Sequence, residues 1–415
     1  MLEGEIIKFY RKKRGLSQEQ LGKDICTTTH VSKIERGQTK YSAEIIALFS
    51  KRLEIDIHKE IESFQTIEKK LHQWHASIIM QRIKEVEKTK KELDQFPLIR
   101  SSKHAVLYQL ILARYYILHK ESAKAIDVIN QIQKQAFTMS RYEENLHKHI
   151  LGIYYLQKYN DFHNENRTIA VEILTSINMD DYQNEELYYH LALAYHWISS
   201  KTNAYIYAKK AVEYFKKTNN FFRAIQAESV MLVQIECAAD SDFKDKVERY
   251  QNLIEDSEAL NEVTITAMLY HNLGFEYFKR KDYQNAHTYY EKALKMANKQ
   301  SSIYLNRLFN FLDNAIDGEL ITSKRLLKYA DEGLSSAKSL KEPLYQHLFN
   351  LLIYKIKNQY DLYYDYLEGT ALPFFLSNNQ FTMIDKFGKQ LYQQFMDTKQ
   401  YEKAAQVSSL FINRI

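Results

Sequence analysis

Glycine and proline are nearly missing from this chain. Ten glycines and three prolines in 415 residues leave little of what sheets, tight turns and irregular loops ordinarily use, so the chain reads as all-α. Cysteine is as scarce. Cys26 and Cys237 stand far apart with no CxxC spacing, so no disulfide framework follows, and a reducing cytoplasm fits. No run of 18 apolar residues occurs, which argues against a membrane span. The opening MLEGEIIKFYRKKRG sets acids before its apolar residues, unlike a secretory signal. A net charge of +5 is too mild to indicate a polyanionic partner by itself.

Catalytic signatures are absent as well. There is no GxxxxGK[ST] loop, no GxGxxG and no HExxH. His72 with His75, and His147 with His149, lack carboxylate or cysteine partners at metal spacing and read as surface or packing residues. Neither cysteine has a neighbouring histidine to activate it. The expectation is a protein that is not an enzyme and holds no metal or cofactor.

What is present is aromatic and helical. Thirty-two tyrosines and 21 phenylalanines suit large side chains filling helix–helix contacts. The length exceeds one ordinary core, so several domains or a repeat array is expected.

The first 60 residues hold 12 Lys and Arg against 9 Asp and Glu. Ile6, Ile7 and Tyr10 recur at helical spacing up to Gly15, a natural stop. Ser17 then reads as an N-cap with Gln20 as its capping-box partner, opening a helix to Ile25 that buries Leu21 and Ile25. "CTT" reads as a turn. A further helix from about Thr28 carries Val31 and Ile34 inward and stops at Gly37, and Ser42 caps a fourth with Ile45, Ile46, Leu48, Phe49 and Leu53. Two short helices across a short turn form a helix-turn-helix. The second must present short, polar or basic residues to a major groove. Thr28, Thr29, His30, Ser32 and Lys33 fit that role. Gln18 is placed to bond a phosphate, while Arg36, Lys40 and the RKKR run supply salt-sensitive attraction.

IIKFYRKKRGLSQEQLGKDICTTTHVSKIERG resembles the XRE/Cro-type helix-turn-helix over about thirty residues. The resemblance implies that Arg11 pairs with Glu35 structurally. The turn is one residue shorter than the commonest version, lacks glycine, and leaves Cys26 to fill the hinge.

From about Gln65 helix follows helix. Residues 59–100 read as one continuous helix ended by Pro97, with Trp74, Ile78, Ile79 and Ile83 as core and KEVEKTKKE as a solvated face. The stretch from Ala267 to Ala297 resembles a tetratricopeptide unit through Tyr270, Leu273, Gly274, Tyr277, Ala286, Tyr290 and Ala293. Weaker copies carry Tyr188, Leu191, Ala192, Tyr195, Ala204 and Ala211; Ala113, Tyr116 and Ala125; and Leu151, Gly152 and Tyr155. Phe395, Tyr401 and Ala404 read as a terminal cap, and the pattern degenerates between Ser301 and Phe375. About eight or nine hairpins result, at a period near 40 rather than the usual ~34. The expected organisation is a helix-turn-helix domain at 1–60, a linker helix at 61–100 and a right-handed tetratricopeptide-like α-solenoid at 101–415.

Such arrays offer a groove to an extended peptide or a partner helix. A peptide backbone is best met by amides that donate and accept together. Asn306, Asn310 and Asn314 form one helical stripe, and Asn272, Asn310 and Asn350 recur at intervals of 38 and 40 residues. His190 stands at the equivalent place in an earlier unit, and Arg223 and Arg307 are candidates to meet a peptide carboxylate.

The whole layout resembles the RRNPP (Rap, Rgg, NprR, PlcR, PrgX) group of peptide-pheromone receptors of Gram-positive bacteria, with length and repeat count nearest its NprR-like branch. That resemblance implies a cytoplasmic quorum-sensing transcription regulator. It would bind a palindromic DNA operator as a homodimer or higher homo-oligomer and take a short signalling peptide in its groove. Two other readings stand beside it. One is a regulator or phosphatase acting on response regulators, for which the group implies a glutamine, with Gln73 and Gln81 in the corresponding region. The other is a phage- or antitoxin-type repressor whose array only assembles oligomers.

Overall fold

In the computed structural model, the described residues are 2–39, 42–96, 99, 104–134, 139–157, 165–378 and 380–412. All regular elements among them are helical. The chain folds as two compact units, Met1–Tyr155 with Glu172–Glu186, and Leu156–Val171 with Leu187–Ile415. Lys40 and Pro97 lie outside the described residues.

The first unit begins with five helices: α1 (Leu2–Lys13), α2 (Gln18–Gly22), α3 (Thr28–Glu35), α4 (Ala43–Leu53) and α5 (Ile57–Ile79). Gly15 takes φ +68° and closes α1, where the Gly15 and Leu16 amides bond the Lys12 and Arg11 carbonyls. Ser17 caps α2 with the expected reciprocal box to Gln20, and Ser42 caps α4. Ile6, Ile7, Leu21, Val31, Ile34, Phe49 and Leu53 are fully buried between these helices, whereas Leu48 is exposed.

Two local expectations are corrected. Helix α2 ends at Gly22 instead of Ile25. Asp24 turns left-handed at φ 58°, and the Arg52 guanidinium caps the Gln20, Leu21 and Lys23 carbonyls; Ile25 is left half-buried. Nor is residues 59–100 one helix. Gln81 takes φ 55° and breaks it into α5 and α6 (Ile83–Asp94), which pair as a hairpin. Trp74 and Ile78 are core, but Ile83 opens the second helix at 45% exposure.

Helices α7 (Ala105–Leu118) and α8 (Ser122–Lys134) then pair as a hairpin, followed along the chain by α9 (Arg141–Gln157), α10 (Glu165–Thr175) and α11 (Met179–Tyr182). Around them lies a buried polar cluster. Arg114 meets Glu186 at 2.6 Å with neither side chain more than 4% exposed. His149 Nδ1 lies 2.8 Å from the Tyr182 hydroxyl. Burial first, with Arg114's charge, lowers His75 to about 4 and His149 to about 3.

The second unit continues with α12 (Leu187–Trp197) and α13 (Lys201–Lys217), α14 (Phe221–Gln234) and α15 (Asp240–Ala259), α16 (Val263–Lys279) and α17 (Tyr283–Lys295), and α18 (Ser302–Asp317) and α19 (Ser323–Ser339). Helix α20 (Pro343–Ile356) pairs with α21 (Tyr360–Tyr366), which passes through a π-turn at Leu367–Ala371 into α22 (Leu372–Ser377); α23 (Phe381–Asp397) and α24 (Tyr401–Ile412) close the chain. Small residues let partner helices approach. Ala204, Ala208, Ala211, Ala286 and Ala293 are fully buried. A Cβ on Gly274 would stand 2.8 Å from the Tyr290 ring, and one on Gly333 2.5 Å from Phe349. The second pair lies where the sequence pattern fades, so the hairpin geometry outlasts its signature. The fold is all-α, a helix-turn-helix head followed by tetratricopeptide-like solenoid hairpins.

Glycine scarcity does not limit the turns. Lys120, Ser199, Asn219, Asn261, Lys281, Glu319, Lys341, Asn358 and Lys399 all take positive φ between 53° and 62°, a conformation that glycine ordinarily supplies.

Candidate functional site

Helix α3 is built to show one face. Thr27 caps it, its hydroxyl accepting the His30 amide. Val31, Ile34 and Glu35 turn inward, and Thr28, Thr29 and Lys33 stay exposed with His30 and Ser32 half-exposed. Arg36 Nη2 donates to Ser32 Oγ at 2.6 Å, so these two act together on the exposed side. Close packing holds α3 in place. A Cβ on Gly4 of α1 would fall 2.2 Å from the Ile34 carbonyl oxygen, and one on Gly22 would meet Val31 at 3.0 Å.

Glu35 anchors the far side. Arg11 Nε donates to its Oε1 at 2.5 Å and Arg11 Nη2 to Oε2 at 3.1 Å. Gln18 Nε2 also donates to Oε2, at 2.8 Å. The Gln18 amide that sequence reasoning directed at a phosphate is therefore partly committed inside the domain. Cys26 is half-buried beside the turn, and burial raises its thiol pKa. Arg52 was missed by sequence reasoning: it lies about thirty residues from the carbonyls it caps, and nothing local marks it.

In the second unit, a cavity of about 510 Å³ is lined only by first helices of successive hairpins and by residues just before them. Trp197 comes from α12 and Gln226 from α14. Helix α16 gives Thr264, Ile265, Met268 and His271; α18 gives Ser302, Ile303, Asn306 and Arg307. Glu342, Leu344 and Tyr345 border it at the start of α20, and Gln380 just before α23. The walls are mainly apolar with a few convergent polar groups, the usual character of a ligand site. A roomier concavity of about 820 Å³ is lined mainly by α19, through Lys324, Lys328, Asp331 and Glu332 among others, and carries less apolar surface to hold a ligand.

Of the eight candidate ligand residues, Asn306 and Arg307 line this cavity. The rest do not, and most have amides or charges engaged elsewhere. Asn310 Nδ2 donates to the Asn306 side chain at 2.7 Å, joining the stripe to itself. Asn272 Nδ2 donates to Ser229 Oγ at 3.0 Å, and Asn350 Nδ2 to the Tyr366 hydroxyl at 3.2 Å. Asn314 is fully buried and bonds the Tyr283 carbonyl, which makes it a packing residue. His190 is buried. Arg223 donates to Gln226 at 2.9 Å and lies over the Tyr189 ring at 5.0 Å. Of the repeat-spaced ladder, Asn272 bonds the preceding hairpin, Asn310 its own helix and Asn350 its own hairpin. Trp197 and Gln226 reach the cavity from helices that the asparagine period did not single out, whereas Met268 and His271 share α16 with Asn272. His271, adjacent to Asn272, was the one signal available.

Comparisons with known proteins agree with this architecture. The helix-turn-helix family model HTH_3 matches residues 7–59. The transcriptional activator NprA of Geobacillus stearothermophilus is 21% identical over 394 residues, covering 92% of this chain and 95% of NprA. Response regulator aspartate phosphatase I of Bacillus subtilis is 21% identical over 271 residues, 60% of this chain and 66% of the phosphatase. Among solved structures, NprR of B. thuringiensis in its apo form superimposes with a TM-score of 0.66 at 19% identity, covering 84% of this chain and 99% of NprR. NprR with its cognate peptide NprX gives the same values. A Rap protein complexed with competence and sporulation factor gives 0.67 at 16% identity, with 84% and 97% covered. In motif, length and fold the chain is similar to NprR and the Rap proteins of the RRNPP group.

Proposed function

We propose that this protein is a cytoplasmic transcription regulator that binds a palindromic operator as a homodimer and is switched by a short peptide held in its second unit. One observation carries the reading. A single chain combines a helix-turn-helix with an exposed polar face and a mainly apolar cavity lined by Asn306, Arg307, Gln226 and His271. Full-length likeness to a transcriptional activator and the fold of a peptide-bound regulator support it. Among the described residues no helix is long and apolar enough to cross a membrane.

In this reading Thr28, Thr29, His30 and Lys33 meet base edges, and Ser32, Arg36 and the free part of Gln18 meet the backbone. Asn306 and Arg307 meet the peptide inside the cavity, and Asn310 supports Asn306 through their hydrogen bond. The test is selection of randomised duplex DNA by the full-length chain. Enrichment of an inverted repeat supports the reading, and sequence-independent recovery counts against it.

A second reading draws on the likeness to an aspartate phosphatase and to a Rap fold. Gln73 is exposed on α5 and borders a concavity of about 470 Å³ with Ser77, Arg82 and Glu85. Gln81 sits instead in the left-handed break after α5. Dephosphorylation of a phosphorylated response regulator that survives removal of residues 1–60 and is lost in Gln73→Ala would establish this activity.

A further inference from the structure

Arg307 forms part of the cavity wall with only 7% of its surface exposed. Its Nη1 donates to the Ala293 carbonyl at 3.0 Å, and no carboxylate pairs with it among the described residues. A buried guanidinium without a counter-ion is costly, and a chain retains one more readily when a ligand supplies the missing charge. The contrast within the same unit is direct. The equally buried Lys246 meets Glu276 at 2.8 Å, and Arg223 is covered by Tyr189 and engaged by Gln226.

The surroundings of Arg307 favour an anion. His271 lies beside it with a buried Nδ1 that has no hydrogen-bond partner. Burial first, then the charge of Arg307, lowers His271 to about 4. The ring is therefore neutral at physiological pH and keeps one N–H to donate. Thr264 and Ile265 of α16, Ser302 and Ile303 of α18, and Leu344 and Tyr345 of α20 bring three helix N-termini, the positive ends of their dipoles, to the same rim. Glu342 supplies the negative charge of the lining, which opposes a second anion and limits the site to one.

We propose that Arg307, with His271 beside it and the first turns of α16, α18 and α20 behind it, is the subsite for one carboxylate of the peptide ligand. The carboxylate is either the C-terminal group or an acidic side chain, next to an apolar residue that rests on Met268, Ile303 and Leu344. This subsite rests on the peptide-receptor reading.

The experiment uses the full-length chain and four pools of fluorescent randomised heptapeptides. The pools end in an acid or an amide, each with or without Asp and Glu. Pools bearing a carboxylate should bind about tenfold tighter than the amidated, acid-free pool, and the better of the two carboxylate pools identifies the source. Arg307→Met should erase the difference and Arg307→Lys should keep part of it. Should Arg307→Met fail to fold by circular dichroism, Arg307→Gln takes its place. If the variant discriminates as the native chain does, or the native chain binds all pools equally, the subsite is overturned and the receptor reading survives. If no pool binds the native chain, the receptor reading falls and takes the subsite with it.

Discussion

Glu35 of α3 is held from two sides, by the Arg11 guanidinium at 2.5 Å and by the Gln18 side-chain amide at 2.8 Å. The Glu35 side chain is 2% exposed and that of Arg11 11%. One carboxylate thereby locks α1, α2 and α3 together and fixes the angle at which α3 shows its polar face. Removing one member of a buried pair strands the other charge, at about 3–5 kcal/mol. Arg11→Met should thus lower the melting temperature of the N-terminal domain and weaken DNA binding in parallel. A variant that melts like the native chain would show that the pair does not hold the domain.

Lys33 and Arg36 should separate in their effects on DNA. Lys33 is exposed on α3, whereas Arg36 lies at its C-terminus against Ser32. Lys33→Ala should cost about 1–3 kcal/mol and relax specificity at one operator position. Arg36→Ala should weaken binding across sequences and reduce the salt slope by about 1. Fluorescence anisotropy over a salt series checks both, and an unchanged affinity for Lys33→Ala would displace it from the base-reading set.

Two glycines are held by close approach. At Gly4 an added Cβ falls 2.2 Å from a backbone oxygen, and at Gly274 it falls 2.8 Å from the Tyr290 ring. Overpacking of this kind costs about 1–3 kcal/mol. Gly4→Ala should be the worse, because a carbonyl in a helix yields less than a ring edge. Chemical denaturation with an N-terminal and a C-terminal probe should show the two losses in different transitions.

The first unit should be acid-labile. His75 and His149 are buried with pKa values lowered to about 4 and about 3, against about 6.5 in an unfolded chain. The unfolded state therefore binds more protons below pH 6.5. The stability is fully present above that value and is lost as pH falls toward 4, on the order of 1 kcal/mol per pH unit per histidine. His149→Phe should flatten the slope between pH 6.5 and 4 in thermal melts. An unchanged slope would place the acid sensitivity elsewhere.

Local chemistry was readable wherever cause and effect are close in sequence. Ser17, Gly15 and Ser42 stop and start helices through their own backbone geometry, and Gly274, Tyr290 and Ala293 fall on one repeat because a hairpin buries its neighbours periodically. Interactions across many residues were not readable. The early end of α2 depends on Arg52, and the break at Gln81 carries no glycine or proline to announce it. The asparagine ladder is the clearest case. Its spacing is real, yet Ser229, Tyr283 and Tyr366 use up amides of Asn272, Asn314 and Asn350, and periodicity alone cannot tell a groove-facing amide from one that bonds inside its own hairpin or to the preceding one. Asn306 and Arg307 differ because they border empty space, a property of five helices together.

The central claim is that peptide occupancy of the second unit changes what the helix-turn-helix does on DNA. The most direct measurement is a fluorescence-anisotropy titration of the full-length protein on the DNA upstream of its own gene. It is run with and without a synthetic peptide copied from the C-terminal end of an adjacent short reading frame. The account predicts salt-dependent specific binding whose affinity shifts about tenfold or more with peptide, a coupling of at least ~1.4 kcal/mol. Specific DNA binding that stays the same at saturating, demonstrably bound peptide would contradict it.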